Sequence, residues 1–302
     1  MVLSPPEGTT SGEDSGHPNS VARSGDFPRS AAVLARMRSE NFPVASRILP
    51  HGLRRHLHAL YGFFRLVDFA GDEAPGNREA LLDFLEVDLR RAYQDAARIP
   101  ILRALTTTVA ECAIPYDVLV KLIEANRQDQ QVRRYRTFDD LLDYCALSAN
   151  PVGEAVLHVF GRAEPPLVAL SDRICSALQI LEHCQDIAED YRQDRVYLPT
   201  EDMRRFGCQE PDLAAVRAPT RLRGLVKHEV DRARRMLETG APLVGCLSGT
   251  ARVAVAGYLA GGRATAAAFA RADHDPLGRD VRPSRARTFA EWGRLYVLGG
   301  AR

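Results

Sequence analysis

The stretch LVALSDRICSALQILEHCQDIAEDYRQDRVYLP, residues 167–199, sets the reading of the whole chain. Large apolar residues recur through it at spacings of three and four, the period of a helix with one buried side. At about 100° per residue, Gln179, Glu182, His183, Asp186 and Asp190 share one polar edge. Ala177, Ile180, Leu181, Cys184 and Ile187 form a separate apolar side. The polar edge is crowded with carboxylates, and Arg195, Tyr197 and Pro199 follow it.

The same period extends outward in both directions. Upstream it fills AAVLARM, LRRHLHALYGFFRLV, REALLDFLEVDLRRAY, ILRALTTTVAECA, YDVLVKLIEA, FDDLLDYCAL and GEAVLHVF; downstream it fills LRGLVKHEVDRARRML and ARVAVAGYLAGG. No alternating strand pattern interrupts it, and Pro100, Pro115, Pro151, Pro165, Pro166, Pro199 and Pro242 fall between segments, where proline starts or stops a helix. The pattern predicts an all-α chain of about ten helices in a single domain over residues 29–272. Residues 1–28, rich in Ser, Gly, Pro and Glu, read as a disordered tail unable to offset its ordering entropy. Residues 273–302 are basic and then amphipathic; a last docked helix is expected there, with a weak surface anchor as the alternative.

Composition narrows the function classes. The 302 residues are 45% hydrophobic and 26% charged, enough apolar material for a sizeable core. Forty basic against thirty-nine acidic residues leave a net charge of +1, which gives no general field for nucleic acid, so any anion site is local. Six scattered cysteines, with no C-x-x-C, argue against a disulfide framework or a zinc site. No uncharged run reaches the roughly 18 residues that span a bilayer, and the N-terminus lacks the basic start and apolar stretch of a secretory signal. A cytoplasmic protein is expected, with peripheral contact at the inner membrane face left open. His51, His56 and His58 read as surface histidines, and the basic segment RLRGLVKHEVDRARRMLE reads as a solvated helix face.

A second acidic pair stands in ALYGFFRLVDFAGDE, where Asp68 and Asp72 are again four apart and Tyr61 and Arg65 extend the series beside a core stripe of Leu53, Leu57, Phe64 and Val67. One D-x-x-x-D is common on a solvated face. Like charges so spaced repel by a few tenths of a kcal/mol unless a cation lies between them. Two such pairs, each with an arginine in reach, favour a hard divalent ion. Magnesium takes oxygen ligands and typically joins one or two carboxylates to substrate phosphates, while Arg65 and Arg195 suit the remaining phosphate oxygens.

Four stretches in order, NFPVASRILP (41–50), LYGFFRLVDFAGDE (60–73), DYCALSANPVGEAVLHVFG (143–161) and LQILEHCQDIAEDYRQDRVYLPTEDMRRFG (178–207), make the sequence resemble the squalene/phytoene synthase family of head-to-head prenyl transferases. SANPVG, the Gln185–Asp186 step and RVYLPTEDM look most like its hydroxysqualene synthase branch in bacterial hopanoid pathways. The resemblance implies an isoprenoid-synthase-like helical bundle around a central apolar cavity, and Mg2+-assisted conversion of presqualene diphosphate and water to hydroxysqualene and diphosphate. It also implies functional coupling to a presqualene diphosphate synthase and a hydroxysqualene reductase. Carried over by position, Asp68, Asp72, Asp186 and Asp190 are implied metal and diphosphate residues, with Glu182 a further candidate ligand. Arg65, Arg195 and Tyr197 would contact the diphosphate; Phe42, Ser46, Asn150 and Gln179 would bind the substrate, Phe42 and the small residues of ANPVG lining the prenyl channel. Tyr61 and Tyr144 would lie near the reacting carbons, orienting water or stabilising positive charge. The chain departs from the pattern at Glu182, where many relatives have Asn, at Gln185, where many have Arg, and at Val67, where many have another acid. Two other readings stay open: a synthase condensing two prenyl diphosphates to presqualene diphosphate, squalene or phytoene, and a non-catalytic helical assembly partner.

Overall fold

The computed structural model describes residues 23–28 and 49–298. Among these residues are thirteen α-helices and no strand; Arg134 and Val196 form a single isolated parallel bridge. Helix α1 (His51–Asp68) runs directly into a π-helical turn, Phe69–Glu73, closed by Ala74 N–H donating to the Phe69 carbonyl. It is followed by α2 (Arg78–Ala92), α3 (Pro100–Glu111), α4 (Tyr116–Gln131), α5 (Phe138–Ser148) and α6 (Asn150–Val159). The long α7 (Pro165–Gln185) leads to α8 (Ile187–Arg192), α9 (Thr200–Phe206), α10 (Thr220–Gly240), α11 (Leu243–Cys246), α12 (Gly249–Arg271) and α13 (Arg285–Leu298).

The helix ends follow from local chemistry. Pro100 and Pro165 occupy first helical positions, where their missing N–H has no partner to lose. The Asn77 side chain accepts from Ala80 N–H at the start of α2, and Thr137 with Asp140 forms a reciprocal capping box on α5. Each of the nine periodic segments predicted between residues 53 and 262 is helical; AAVLARM lies outside the described residues.

Two apolar clusters fill the interior. One is built from α1 to α4 and includes Leu57, Phe63, Leu85, Leu102 and Leu119. The other surrounds α7, α10 and α12 and includes Ile180, Leu225, Val230, Leu259 and Phe269. Helix α6 lies between them, giving Ala155, Val156 and Val159 to the first and Leu157 to the second. By length and composition α12 is apolar enough to cross a membrane, but it packs against α7, α10 and α13 as a core helix.

The structure departs from the sequence reading in three places. Phe27, in the expected tail, is buried against Phe84, with ring centroids 6.0 Å apart. His56 is not a surface residue: it is buried, with Nδ1 3.0 Å from Thr108 Oγ1. The segment of α10 expected to be a solvated face carries Glu229, which is 1% exposed.

The π turn is held by α4. Gln130 Nε2 donates to the Gly71 carbonyl at 3.0 Å, and a Cβ on Gly71 would run into the Asn126 amide. Gly71→Ala is therefore expected to lower stability by about 1–3 kcal/mol, the usual scale of overpacking. Gly261→Ala, within α12 with nothing near its would-be Cβ, is expected to add about 0.5–1 kcal/mol by restricting a helical glycine. Denaturant unfolding of both variants measures the contrast.

Candidate active site

The π turn widens the helix just where the first acidic pair lies, so Asp68 is the last residue of α1 and Asp72 sits within the turn. Such turns interrupt the regular ladder and recur at functional sites. The second pair straddles another break. α7 ends at Gln185, Asp186 leaves helical geometry at ψ 11°, and α8 begins at Ile187. Asp190 N–H still donates to the Asp186 carbonyl at 2.8 Å, which keeps the two carboxylates on one side.

Both pairs line one cavity of about 370 Å³, together with Glu182, Asp129, Gln179, His183, Arg195 and Tyr197. A second cavity of about 190 Å³ adjoins it and is apolar, lined among others by Val152, Gly153, Ile174, Leu178 and Tyr258. Ser148, Val152, Gln179 and Glu182 line both. The polar hollow thus adjoins a greasy one and shares walls with it.

Arg195 ties the two acidic segments together. Its Nη2 donates to Asp72 Oδ1 at 2.7 Å, the residue is 8% exposed, and its Nε is buried without a partner. Asp194 turns the chain back after α8 with φ 60°, and Arg134 clamps that turn by donating to the Asp194 carbonyl at 2.6 Å and to Glu210 at 2.7 Å. The clamp fixes where Arg195 and Tyr197 emerge.

Asp129 is a central residue that sequence reasoning missed. It is buried, and its carboxylate accepts from Tyr144 at 2.6 Å and from Tyr197 at 3.1 Å. Burial raises its pKa, opposed first by the Tyr144 hydrogen bond and then by Arg195. A signal did exist, since Asp129 follows Val118, Leu122 and Ala125 on the buried stripe of α4. His183 stacks on Tyr197 with centroids 3.7 Å apart, and burial pushes its pKa down to about 3, so the ring is neutral. Gln179 Nε2 donates to His183 Nε2 at 3.3 Å, which leaves the proton on Nδ1, 4.0 Å from Asp190 Oδ2.

The other sequence candidates are placed differently. Arg65 pairs with Asp68 at 3.2 Å and Glu73 at 2.8 Å, outside the residues lining the cavity. Tyr61 is buried in the first core cluster, and the cavity wall there is Phe64 and Val67. Asn150 accepts from Ser176 at 2.8 Å and lines neither cavity. Gln185 donates to the Val281 carbonyl at 3.1 Å, away from the acids. Phe42 and Ser46 lie outside the described residues.

The donor set suits a hard divalent cation. Six carboxyl groups line the polar cavity and can supply oxygen, no thiol lines it, and Arg195 is the one cationic side chain among those lining residues. Burial, and then Asp186, push the Asp190 pKa up to about 7. Burial and then Glu189 raise that of Asp186. Asp202, His228 and Glu229 form a separate group, but Arg232 lies among them, pairing with Asp202 and with Glu229 Oε1 at 3.0 Å; that group already holds its cation.

The squalene/phytoene synthase family model matches residues 35–288. The chain belongs to the squalene/phytoene synthase family. Its members process prenyl diphosphates, and the chain is accordingly an enzyme of that kind. It is 30% identical over 266 residues to a hydroxysqualene synthase of Zymomonas mobilis, covering 85% of this chain and 89% of that one. The solved structure of a squalene synthase from Alicyclobacillus acidocaldarius is 40% identical, with a TM-score of 0.76 over 83% of this chain and 95% of that one. A dehydrosqualene synthase solved with a ligand superposes with a TM-score of 0.80 at 23% identity, covering 89% of this chain and 95% of that one, a likeness of fold.

The raised Asp190 pKa has a definite sign. Between about pH 4 and 7 the folded, metal-free state keeps a proton that the unfolded state has released, so stability falls as pH rises through that window. Melting in chelator is expected to show this decline in the wild type and a flatter profile in Asp190→Asn. Added Mg2+ is expected to raise the wild-type melting temperature more at about pH 8 than at about pH 5, because the ion then displaces no proton.

Proposed function

We propose that the protein is a hydroxysqualene synthase: it converts presqualene diphosphate and water to hydroxysqualene, diphosphate and a proton. The observation that carries this reading is the convergence of Asp68, Asp72, Asp186 and Asp190 on one polar cavity that shares walls with an apolar one, supported by the likeness to a hydroxysqualene synthase along most of the chain.

The four aspartates, with Glu182 beside them, would hold Mg2+. When bound, the ion supplies positive charge for the diphosphate and makes it a better leaving group. The chain's own groups do the rest. Arg195, now on Asp72, has an unpartnered Nε and a second cationic edge to offer phosphate oxygens. The carbon–oxygen bond to the diphosphate breaks with its electron pair leaving on oxygen. The cation that remains rearranges in the apolar cavity, where Val152, Ile174 and Leu178 exclude water. Tyr144 and Tyr197 line the polar cavity, where an aromatic ring would stabilise positive charge, and Asp129 fixes both by accepting their hydroxyl protons in hydrogen bonds. Water then adds to the terminal cation and releases one proton.

The solved structure bearing the name squalene synthase favours a second reading, condensation of two prenyl diphosphates. Purified protein with Mg2+ is expected to yield hydroxysqualene from presqualene diphosphate and no product from farnesyl diphosphate alone; the reverse outcome would establish the second reading. Asp72→Ala and Asp186→Ala are expected to lower turnover by about two to three orders of magnitude, the scale of losing a preorganised electrostatic contact. Asp83→Ala removes only an exposed partner of Arg127 and is expected to change turnover by less than about two-fold. Equal activity in all three variants would remove the acidic cavity from the mechanism, and no turnover of either substrate by the wild type would leave a non-catalytic role.

A further inference from the structure

Helix α13 is buried on one side only. Leu295 is buried, Trp292 Nε1 donates to the Val253 carbonyl at 2.8 Å, and Glu291 accepts from Arg263 at 2.8 Å, which seats the helix on α12. A surface helix ordinarily carries its charges opposite the buried face. Here, at about 100° per residue, the opposite side presents Ala286, Phe289, Ala290, Gly293, Tyr296 and Val297, all exposed and none charged. Phe289 and Val297 are 64% and 76% exposed. Three of the five large exposed apolar side chains among the described residues are on this one stripe.

The charges lie along its borders. Arg285 flanks one side, Arg287 and Arg294 flank the other, and Arg279 and Arg282 stand in the segment leading to the helix, all exposed. The neighbouring acids are already engaged: Asp280 is 3.6 Å from Arg282, Glu291 lies between Arg263 at 2.8 Å and Arg294 at 3.5 Å, and Glu238 is held by the same Arg263. Residues 276–298 therefore carry five arginines against two acids, three net positive charges in a chain whose total is +1.

The geometry points to α13 as the face by which this protein docks on an anionic lipid surface. The uncharged stripe enters the boundary between headgroups and acyl chains, and the bordering arginines meet anionic headgroups. A second copy of the chain would also cover the stripe, but a two-fold pairing sets the same surface against itself and brings Arg285, Arg287 and Arg294 toward their counterparts. Anionic lipid neutralises that rim, whereas a second copy doubles it.

Sedimentation of the full chain with vesicles tests the assignment. Binding is expected to vesicles of phosphatidylcholine mixed with phosphatidylglycerol, to weaken with added salt, and to be absent with phosphatidylcholine alone. Arg287→Gln with Arg294→Gln is expected to lower the partition coefficient by about five-fold per arginine. Phe289→Ser with Val297→Ser is expected to abolish binding. Both double variants should keep the wild-type melting temperature, which separates loss of docking from unfolding. Failure of the wild type to sediment with the mixed vesicles overturns the assignment, as does wild-type partitioning by both double variants. A concentration-dependent dimer that Phe289→Ser with Val297→Ser dissociates, without vesicle binding, gives the stripe to a second copy instead.

Discussion

The ion pair between Arg195 and Asp72 joins the two acidic segments where their carboxyl groups gather around one cavity. Six carboxyl groups face a hollow partly withdrawn from water, and withdrawing a charge without a partner is costly. The pair relieves part of that cost, but the raised pKa values of Asp186 and Asp190 show that relief is incomplete. The remainder of the site is arranged around this deficit. Arg134 fixes the turn that delivers Arg195, Gln130 fixes the π turn that delivers Asp72, and Asp129 holds Tyr144 and Tyr197 on the wall of the polar cavity.

The division of the interior into two apolar clusters serves the same end. A single continuous core would leave no hollow, because protein interiors close-pack. α6 keeps the clusters apart, and Gly153 lets it approach α7 so closely that a Cβ there would strike Ser171 and Cys175. A polar mouth and an apolar floor thus share walls, which suits a molecule with an anionic head and a hydrocarbon body.

Much of this was legible in the sequence because it rests on periodicity. The three-and-four spacing of residues 167–184 located α7, and the two D-x-x-x-D pairs led to one cavity. What escaped were features set by tertiary contact. The π turn at Phe69–Glu73 depends on α4 arriving over Gly71, which no local pattern announces. The break at Asp186 and the short α8 lie inside an unbroken helical period. His56 looked like a surface residue because its partner, Thr108, is fifty-two positions away. Arg65 stood at the right spacing to reach a diphosphate, yet the turn places Glu73 within 2.8 Å of it, and the guanidinium answers the nearer charge.

Two departures from the family pattern act together on this electrostatic balance. The family resemblance implies a neutral Asn at position 182 and an Arg at position 185, and against that pattern Glu182 and Gln185 make the segment two units more negative. The structure uses each replacement differently. Glu182 stays on the cavity wall and contributes to raising the Asp190 pKa, whereas Gln185 turns away to the Val281 carbonyl in the segment leading to α13. Gln185 thus serves as a structural hydrogen-bond donor, while the Glu182 carboxyl remains in the hollow. Arg195 is left as the sole cationic side chain lining the polar cavity among the described residues, which makes the site more dependent on cations arriving from solution than one that keeps arginine beside its second aspartate pair.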